Sequence, residues 1–519
     1  MNLPSYQLLD EAWIPVRYRD GRIRNVGLRQ VFDDARQIIA LADTSPPNLV
    51  AMHRLLLAIL HRALRARGTW SDADRAVWRR GGWPPEALHG YFDRWRERFW
   101  LFHPTHPFMQ VAALAEADET RDRKKPWSQV ALDRVSGNAP VVFDHTLDDA
   151  PVAREAGQLL RDLLGFLQFT PGGLVKVFRS ADKAGALANT AAVLPQGESL
   201  AATLLLNLHP FAPAWDDDLP TWERPAVGAE SLRADPLPAT GPCDRYTRLS
   251  RSVLLLPEAE QPHEVRWIRF GAGQALADDE LSPDPMSAFR TGSNGLVRFT
   301  FAEGKETWRD LASLLPEPTG TLSQPAAVMS WAVNLLTASG EMDGHLSVMV
   351  CGLASDQAKL ERWRCDLFSL PAATVLRADV AQEVRRLLAL AEKLHTEALG
   401  VAADLLMGAM PALDRKQQKA AARQGLRAAG YTATFFSATE RSFPRLLSLL
   451  GEGDLPGAGA IWQQAMLAGE SAAWSTAERL AGTSMAALRS GALVHVRRRE
   501  LLKPLRDALT SLNPKEHSA

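Results

Sequence analysis

The feature that most constrains this chain is a change of texture near Arg377. From there to Leu512 the sequence is dominated by Ala, Leu, Arg and Glu, broken near Gly408 to Pro411, at Gly430, across Gly451 to Gly459 and at Gly482. Strong helix formers divided by such breakers predict four or five helices with short connections, a four-helix-type bundle over 377–512. Residues 513–519 read as a flexible tail. Upstream, short apolar runs (Val253 to Leu256, Val265 to Phe270, Leu346 to Val350) alternate with many Pro and Gly breakers and a few helical stretches. That pattern predicts a large irregular mixed α/β domain over 1–376, with long loops of the kind that carry function. The expected fold class is α+β.

Two elements near the start are explicit. Trp13 to Val26 reads as a hairpin turning at Asp20-Gly21, a dipeptide suited to positive φ. Asn48 to Arg67 spaces Leu49, Met52, Leu55, Leu56, Ile59, Leu60, Ala63 and Leu64 three to four residues apart, predicting a buried amphipathic helix stopped by Gly68.

Composition narrows the function classes. At 519 residues the chain exceeds what one core needs, and 46% apolar with 23% charged residues is the balance of an ordinary soluble protein. The first residues lack a basic region followed by an apolar core, and no window approaches a membrane span, so a cytoplasmic protein without membrane partners is expected. Cys243, Cys351 and Cys365 are far apart and form no CxxC pair, so neither a disulfide framework nor a zinc ribbon is expected. Lys plus Arg number 59 against 60 Asp plus Glu, so any nucleic-acid contact must use local patches.

The sequence contains no GxxxxGK[ST] loop, no GxGxxG after a strand, no HExxH and no GxSxG elbow, which removes the signatures of the common enzyme classes. His103 and His106 could be offered as metal ligands, but each precedes a proline and a packed turn is the plainer reading. Asp216, Asp217 and Asp218 could hold Mg²⁺, but a carboxylate run between Pro213 and Pro220 reads first as a solvated loop. The positive signal is basic: Arg415, Lys419, Arg423 and Arg427 recur every four residues, with Lys416 beside them, and would line one face of a helix able to track phosphates. A second cluster, Arg497, Arg498, Arg499, Lys503 and Arg506, falls on the last predicted helix. A solvated face is the alternative for either cluster; two in one bundle favour phosphate binding or docking on a nucleoprotein.

Particular segments resemble a known family. Leu101 to Val111 (LFHPTHPFMQV) and the opening LLDEAWIPVRYRDG are similar to signatures of the large subunit, the CasA family, of the type I-E CRISPR surveillance complex Cascade. Arg134 to Thr146 resembles its first DNA-sensing loop, Thr170 to Phe178 the segment carrying its glycine loop, and Gly352 to Pro371 the stretch holding its glutamine wedge. Gly241 to Glu258 and Asp284 to Arg290 resemble its central sheet region, and Phe435 to Leu447 a motif of its C-terminal bundle. The likeness runs in order along nearly the whole chain.

The resemblance implies a non-catalytic subunit that recognises the short flanking motif, the PAM, in double-stranded target DNA. Its implied partners are the other Cascade proteins, the guide RNA and the helicase-nuclease of type I systems. Gly172, Gly173 and Lys176 would belong to the glycine segment, although on sequence alone Gly172 and Gly173 read first as a turn after Pro171. Gln357 with Ala358 would form the wedge, and Asp356 stands where some members have Asn, which weakens the case for a direct hydrogen bond to the nucleic acid there. Phe143 could brace a base with Asp144 and His145 positioning it, or be a half-buried aromatic at a strand end. The basic residue that the family places near the minor groove has no clear counterpart; Arg266 and Arg269 are the candidates. The cysteine cluster of some members is missing, so no metal and no cofactor are expected. The alternatives are a structural scaffold without sequence readout and a metal-dependent nuclease.

Overall fold

The computed structural model describes residues 4–132, 149–173, 175, 177–211, 217–277, 283–292, 295–302, 304–317, 323–341, 344–356, 359–410 and 414–512. They form two compact units: Met1–Thr307 with Thr319–Met342 and Leu346–Ser369, and Leu370–Ala519 with Trp308–Pro318 and Asp343–His345. The first is mixed α/β and the second helical, the α+β class read from the sequence.

In the first unit, β1 (Ile14–Tyr18) and β2 (Ile23–Val26) pair antiparallel, with Gly21 at φ +82° in the turn, and β3 (Ile38–Leu41) joins the other edge of β1. Helix α1 (Pro46–Arg65) opens on two prolines, which cost nothing where the first N–H groups lack helical partners. Its apolar residues cover more than one face: Leu55, Leu56, Leu57 and Leu60 are all buried, each contributing about 1.5–3 kcal/mol. One charge goes inside with them. Arg54 binds Asp284 through two hydrogen bonds of 2.7 and 3.2 Å and lies 4.4 Å over the Tyr246 ring, with both members of the ion pair fully buried.

Helix α2 (Ala156–Phe169) packs on α1, and Asn48 donates to Asp162 across the contact at 3.0 Å. Strand β4 (Ala192–Gln196) pairs antiparallel with β7, described below. Strands β5 (Arg251–Pro257) and β6 (Glu264–Ala272) pair antiparallel with Leu255 opposite Ile268, and β6 is the central strand of a four-stranded sheet, the common partner of the other strands. Strands β7 (His345–Asp356) and β8 (Lys359–Pro371) neighbour each other in the order β8-β7-β4, so the apolar runs read as strands are strands.

After the short helix Ala372–Leu376, the helices of the second unit are α3 (Ala378–Ala409), α4 (Arg415–Ala428), α5 (Tyr431–Glu440), α6 (Phe443–Glu452), α7 (Leu455–Ala481) and α8 (Met485–Leu512). From Ala378 on, six described helices replace the four or five expected, because the turn between Glu440 and Phe443 adds a break, separating α5 from α6, that no glycine or proline run marked. Their core is aromatic. Trp462 is fully buried, and its indole donates to the Leu387 carbonyl at 2.7 Å. Trp308, from the segment far upstream, lies 5.8 Å from Trp462 and 5.1 Å from Phe443.

The three cysteines are free thiols, but two that lie apart in sequence meet in space. Cys351 on β7 and Cys365 on β8 lie with their sulfurs 2.6 Å apart, because adjacent strands bring together positions that sequence spacing separates. Among the described residues, no helix is long and apolar enough to cross a membrane.

Candidate nucleic-acid interface

The glycine segment follows directly from α2. Gly172 and Gly173 are exposed, and Gly173 makes a bridge with Asp182: its N–H donates to the Asp182 carbonyl at 3.1 Å and its carbonyl accepts at 2.8 Å. Neither glycine has a positive φ among the described backbone. A methyl on Gly172 would meet Ala184 N at 3.3 Å, whereas one on Gly173 would meet nothing within 4 Å. Among the described residues nothing requires a glycine at 173. What the residue presents outward is a bare Cα, since its own N–H and carbonyl are engaged by Asp182.

The segment is held from beneath by a buried carboxylate. Asp182 accepts from Arg179 at 2.7 Å and from the Gly273 N–H at 2.9 Å, and pairs with Arg251 at 3.1 Å. Arg251 in turn donates to the Pro171 carbonyl at 2.6 Å and to that of Lys183 at 2.8 Å. Two guanidinium groups therefore converge on one carboxylate and pin both ends of the glycine turn. Sequence reading missed Asp182, Arg179 and Arg251, for they are scattered and carry no motif.

The stretch matched to the wedge approaches the same place. Trp363 on β8 meets Phe169, the last residue of α2, edge-on at 5.3 Å and 85°. The strands flanking residues 357–358 are thus packed on the helix that delivers Gly172 and Gly173. Of the other candidates, Phe143, Asp144, His145, Lys176, Gln357 and Ala358 lie outside the described residues, and Asp356 is described only as the end of β7.

Arg266 and Arg269 are engaged locally. Arg266 donates to the Pro151 carbonyl at 3.2 Å and lies 3.6 Å from Glu258, and Arg269 donates to the Thr120 carbonyl at 2.8 Å.

In the second unit, the four-residue stripe falls on one helix as predicted. Arg415, Lys419, Arg423 and Arg427 are all exposed on α4, which buries only Ala422 and Leu426 and contains no acidic residue. Among the described residues none of the four side chains makes an ion pair or hydrogen bond. Arg415 and Lys416 occupy the first turn, where the positive end of the helix disfavours cations by about 0.3–1 kcal/mol each. Helix stability does not explain them there, although Asp414 caps the helix by accepting from the Lys416 and Gln417 N–H groups.

The second basic cluster differs. Arg498 is spent on buried Glu470 through bonds of 2.7 and 2.8 Å, and Arg497 pairs with Asp404. Those two guanidinium groups are engaged within the second unit, while Arg499 and Lys503 of the same cluster remain exposed.

The histidine and carboxylate candidates resolve structurally. His103 Nδ1 accepts from the Thr105 and His106 N–H groups at 3.2 and 2.9 Å, while Arg98 bonds His106 Nδ1 at 2.9 Å, so the histidines build the turn. Burial lowers both their pKa values. Asp218 is not solvated as expected: it is buried and accepts from the Cys243 and Asp244 N–H groups at 2.8 and 2.7 Å, capping the short helix Pro242–Thr247. Beside it His61, His209 and Cys243 bring ligand atoms within 4.8 Å of one another, all buried. The two imidazoles stack at 3.6 Å and 15°, however, and a lone pair lies in its ring plane. Nearly parallel planes cannot both contain one ion, so as arranged these groups pack and do not chelate.

Comparison with known proteins adds identity to this geometry. The family described as CRISPR-associated protein Cse1 matches residues 7–480. A CasA/Cse1 protein of Thermus thermophilus is 32% identical over 495 residues, covering 93% of this chain and 94% of its own. The solved structure of Thermus thermophilus CasA (Cse1) superposes with a TM-score of 0.81 at 30% identity, covering 97% of this chain and all of that one. A chain from a CRISPR RNA-guided surveillance complex shares the fold, with a TM-score of 0.69 at 22% identity over 96% of this chain and 100% of that one. The chain belongs to the Cse1 (CasA) family of CRISPR-associated proteins.

Proposed function

We propose that this chain is the non-catalytic large subunit of a type I-E CRISPR RNA-guided surveillance complex. In that role it recognises the PAM in double-stranded target DNA, promotes duplex opening and R-loop formation, and helps recruit the helicase-nuclease that degrades the target, in antiviral defence. The observation that carries the reading is the contact of Trp363 with Phe169, which gathers the glycine segment and the strands flanking 357–358 on one helix end. Guide pairing reads the long target sequence while protein reads the short flanking motif. The minor groove is about 6 Å wide, so little side-chain bulk where the backbone meets it favours close approach. Gly173, exposed and with no described residue within 4 Å of an added Cβ, suits that approach. A side chain such as Gln357 driven between base steps costs a few kcal/mol in unstacking, which groove contacts offset. The exposed stripe on α4 suits phosphate contact, by displaced strand or duplex.

The test is a competition between duplexes that differ only in the PAM, using the assembled complex. Preferential capture of the PAM duplex is expected, with no divalent-ion-dependent cleavage by the isolated chain. Equal affinity for both duplexes would make the chain a scaffold, and cleavage would make it a nuclease.

A further inference from the structure

We propose that Cys351 and Cys365 are a redox-responsive pair that closes into a disulfide between β7 and β8, clamping the two strands that flank residues 357–358. The proposal rests on the strand pair alone and holds whether or not the chain reads DNA.

The two sulfurs lie 2.6 Å apart, well inside non-bonded contact, so closure needs almost no movement. Both backbones are fixed on either side. Cys351 is paired in register with Ala192 of β4, and a methyl on the next residue, Gly352, would strike the Thr190 carbonyl at 2.7 Å, which shows how tightly β7 is pressed there. On β8, Arg364 donates to Asp366 at 2.6 Å and to the Lys305 carbonyl at 2.8 Å, and lies 4.6 Å over the Phe301 ring. Trp363, on the same face as Cys365, is held by Phe169. The thiols therefore face each other because the strands around them are pinned.

Their environments divide the work. Cys365 is exposed and Cys351 is buried. The Cys351 S–H donates to Cys365, which lowers the Cys365 pKa, while that same bond together with burial raises the pKa of Cys351. The thiolate is the attacking form, so Cys365 is the entry point and Cys351 the resolving partner.

The oxidant is a low-molecular-weight disulfide. Cys365 attacks one of its sulfurs, the small S–S bond breaks, and one thiol leaves with a proton. Cys351, giving its proton to solvent, then attacks Cys365 Sγ, breaks the mixed disulfide and releases the second thiol. Two protein thiols lose two electrons and two protons, and one small disulfide becomes two thiols. Accessible pairs of this kind in reducing compartments are the labile, regulatory ones.

The experiment treats the reduced full-length chain with oxidised glutathione, alkylates it, and maps peptides without reduction. The expected product links Cys351 to Cys365 and leaves Cys243 reduced, since that thiol is buried. Cys351→Ser should trap glutathione on Cys365, and Cys365→Ser should leave Cys351 unmodified. Hydrogen exchange over β7 and β8 should slow in the oxidised chain. A stable glutathione adduct on Cys365 of the native chain with Cys351 still alkylatable, or no reaction at either cysteine, would overturn the pair; unchanged exchange after closure would overturn the clamp.

Discussion

His53 shows what single buried groups do to this protein. Its ring lies inside α1, with Nδ1 2.7 Å from the Leu49 carbonyl, and burial lowers its pKa from 6.5 to about 4. Between those values the unfolded chain binds a proton that the folded chain refuses, so stability is full above the ordinary value and falls as pH drops toward 4. The swing is on the order of 3 kcal/mol, and His209, lowered to about 3 by burial, acts in the same direction. His53→Leu should therefore narrow the gap between the urea midpoints at neutral pH and at about pH 5. An unchanged gap would remove His53 from the acid response. Asp182 is the other residue on which much depends. Asp182→Ala leaves Arg179 and Arg251 converging on nothing and should cost about 3–5 kcal/mol locally, read as faster hydrogen exchange over residues 177–185.

Among the elements, α4 stands apart because its exposed face is basic and unneutralised within the described chain. Each contacted phosphate contributes roughly 0.7 to 0.9 to the slope of log K against log salt. Arg423→Ala with Arg427→Ala should lower affinity of the assembled complex uniformly across sequences and flatten that slope by up to about two units, with PAM preference retained. An unchanged slope would assign the stripe to protein docking or solvent. Trp308 tests the helical unit in another way: Trp308→Ala removes the ring between Phe443 and Trp462 and should cost about 3–5 kcal/mol, seen as a lower urea midpoint for that unit alone. Periodicity and breakers made α1, the first hairpin and α4 legible, since those elements follow from local spacing. The contacts of Trp308, the Asp218 cap and the meeting of Cys351 with Cys365 were not legible, because each depends on partners that only tertiary structure supplies. Gly172, Gly173 and Gln357 stood out only through likeness to a family; in the sequence by itself they are a turn and an ordinary polar residue.

For the whole molecule, 59 Lys plus Arg nearly balance 60 Asp plus Glu, yet the residues of α4 itself include basic side chains and no acidic one, so local charge departs from the net charge. In the first unit, recognition would rest on shape, with a bare Cα at Gly173 set by buried ion pairs. Gln357→Ala combined with Ala358→Gly should impair R-loop formation on linear target DNA and leave complex assembly intact; unimpaired opening would remove the wedge from this account. The central claim is that the glycine segment reads the PAM by close approach, and Gly173 offers the cleanest test because an added Cβ there meets nothing within 4 Å among the described residues. The measurement is the affinity of the assembled complex, with native chain or Gly173→Asp, for duplexes with and without the PAM. The account predicts that the PAM duplex loses about 1–3 kcal/mol more than the duplex lacking it. Equal losses on the two duplexes, or none, would contradict it.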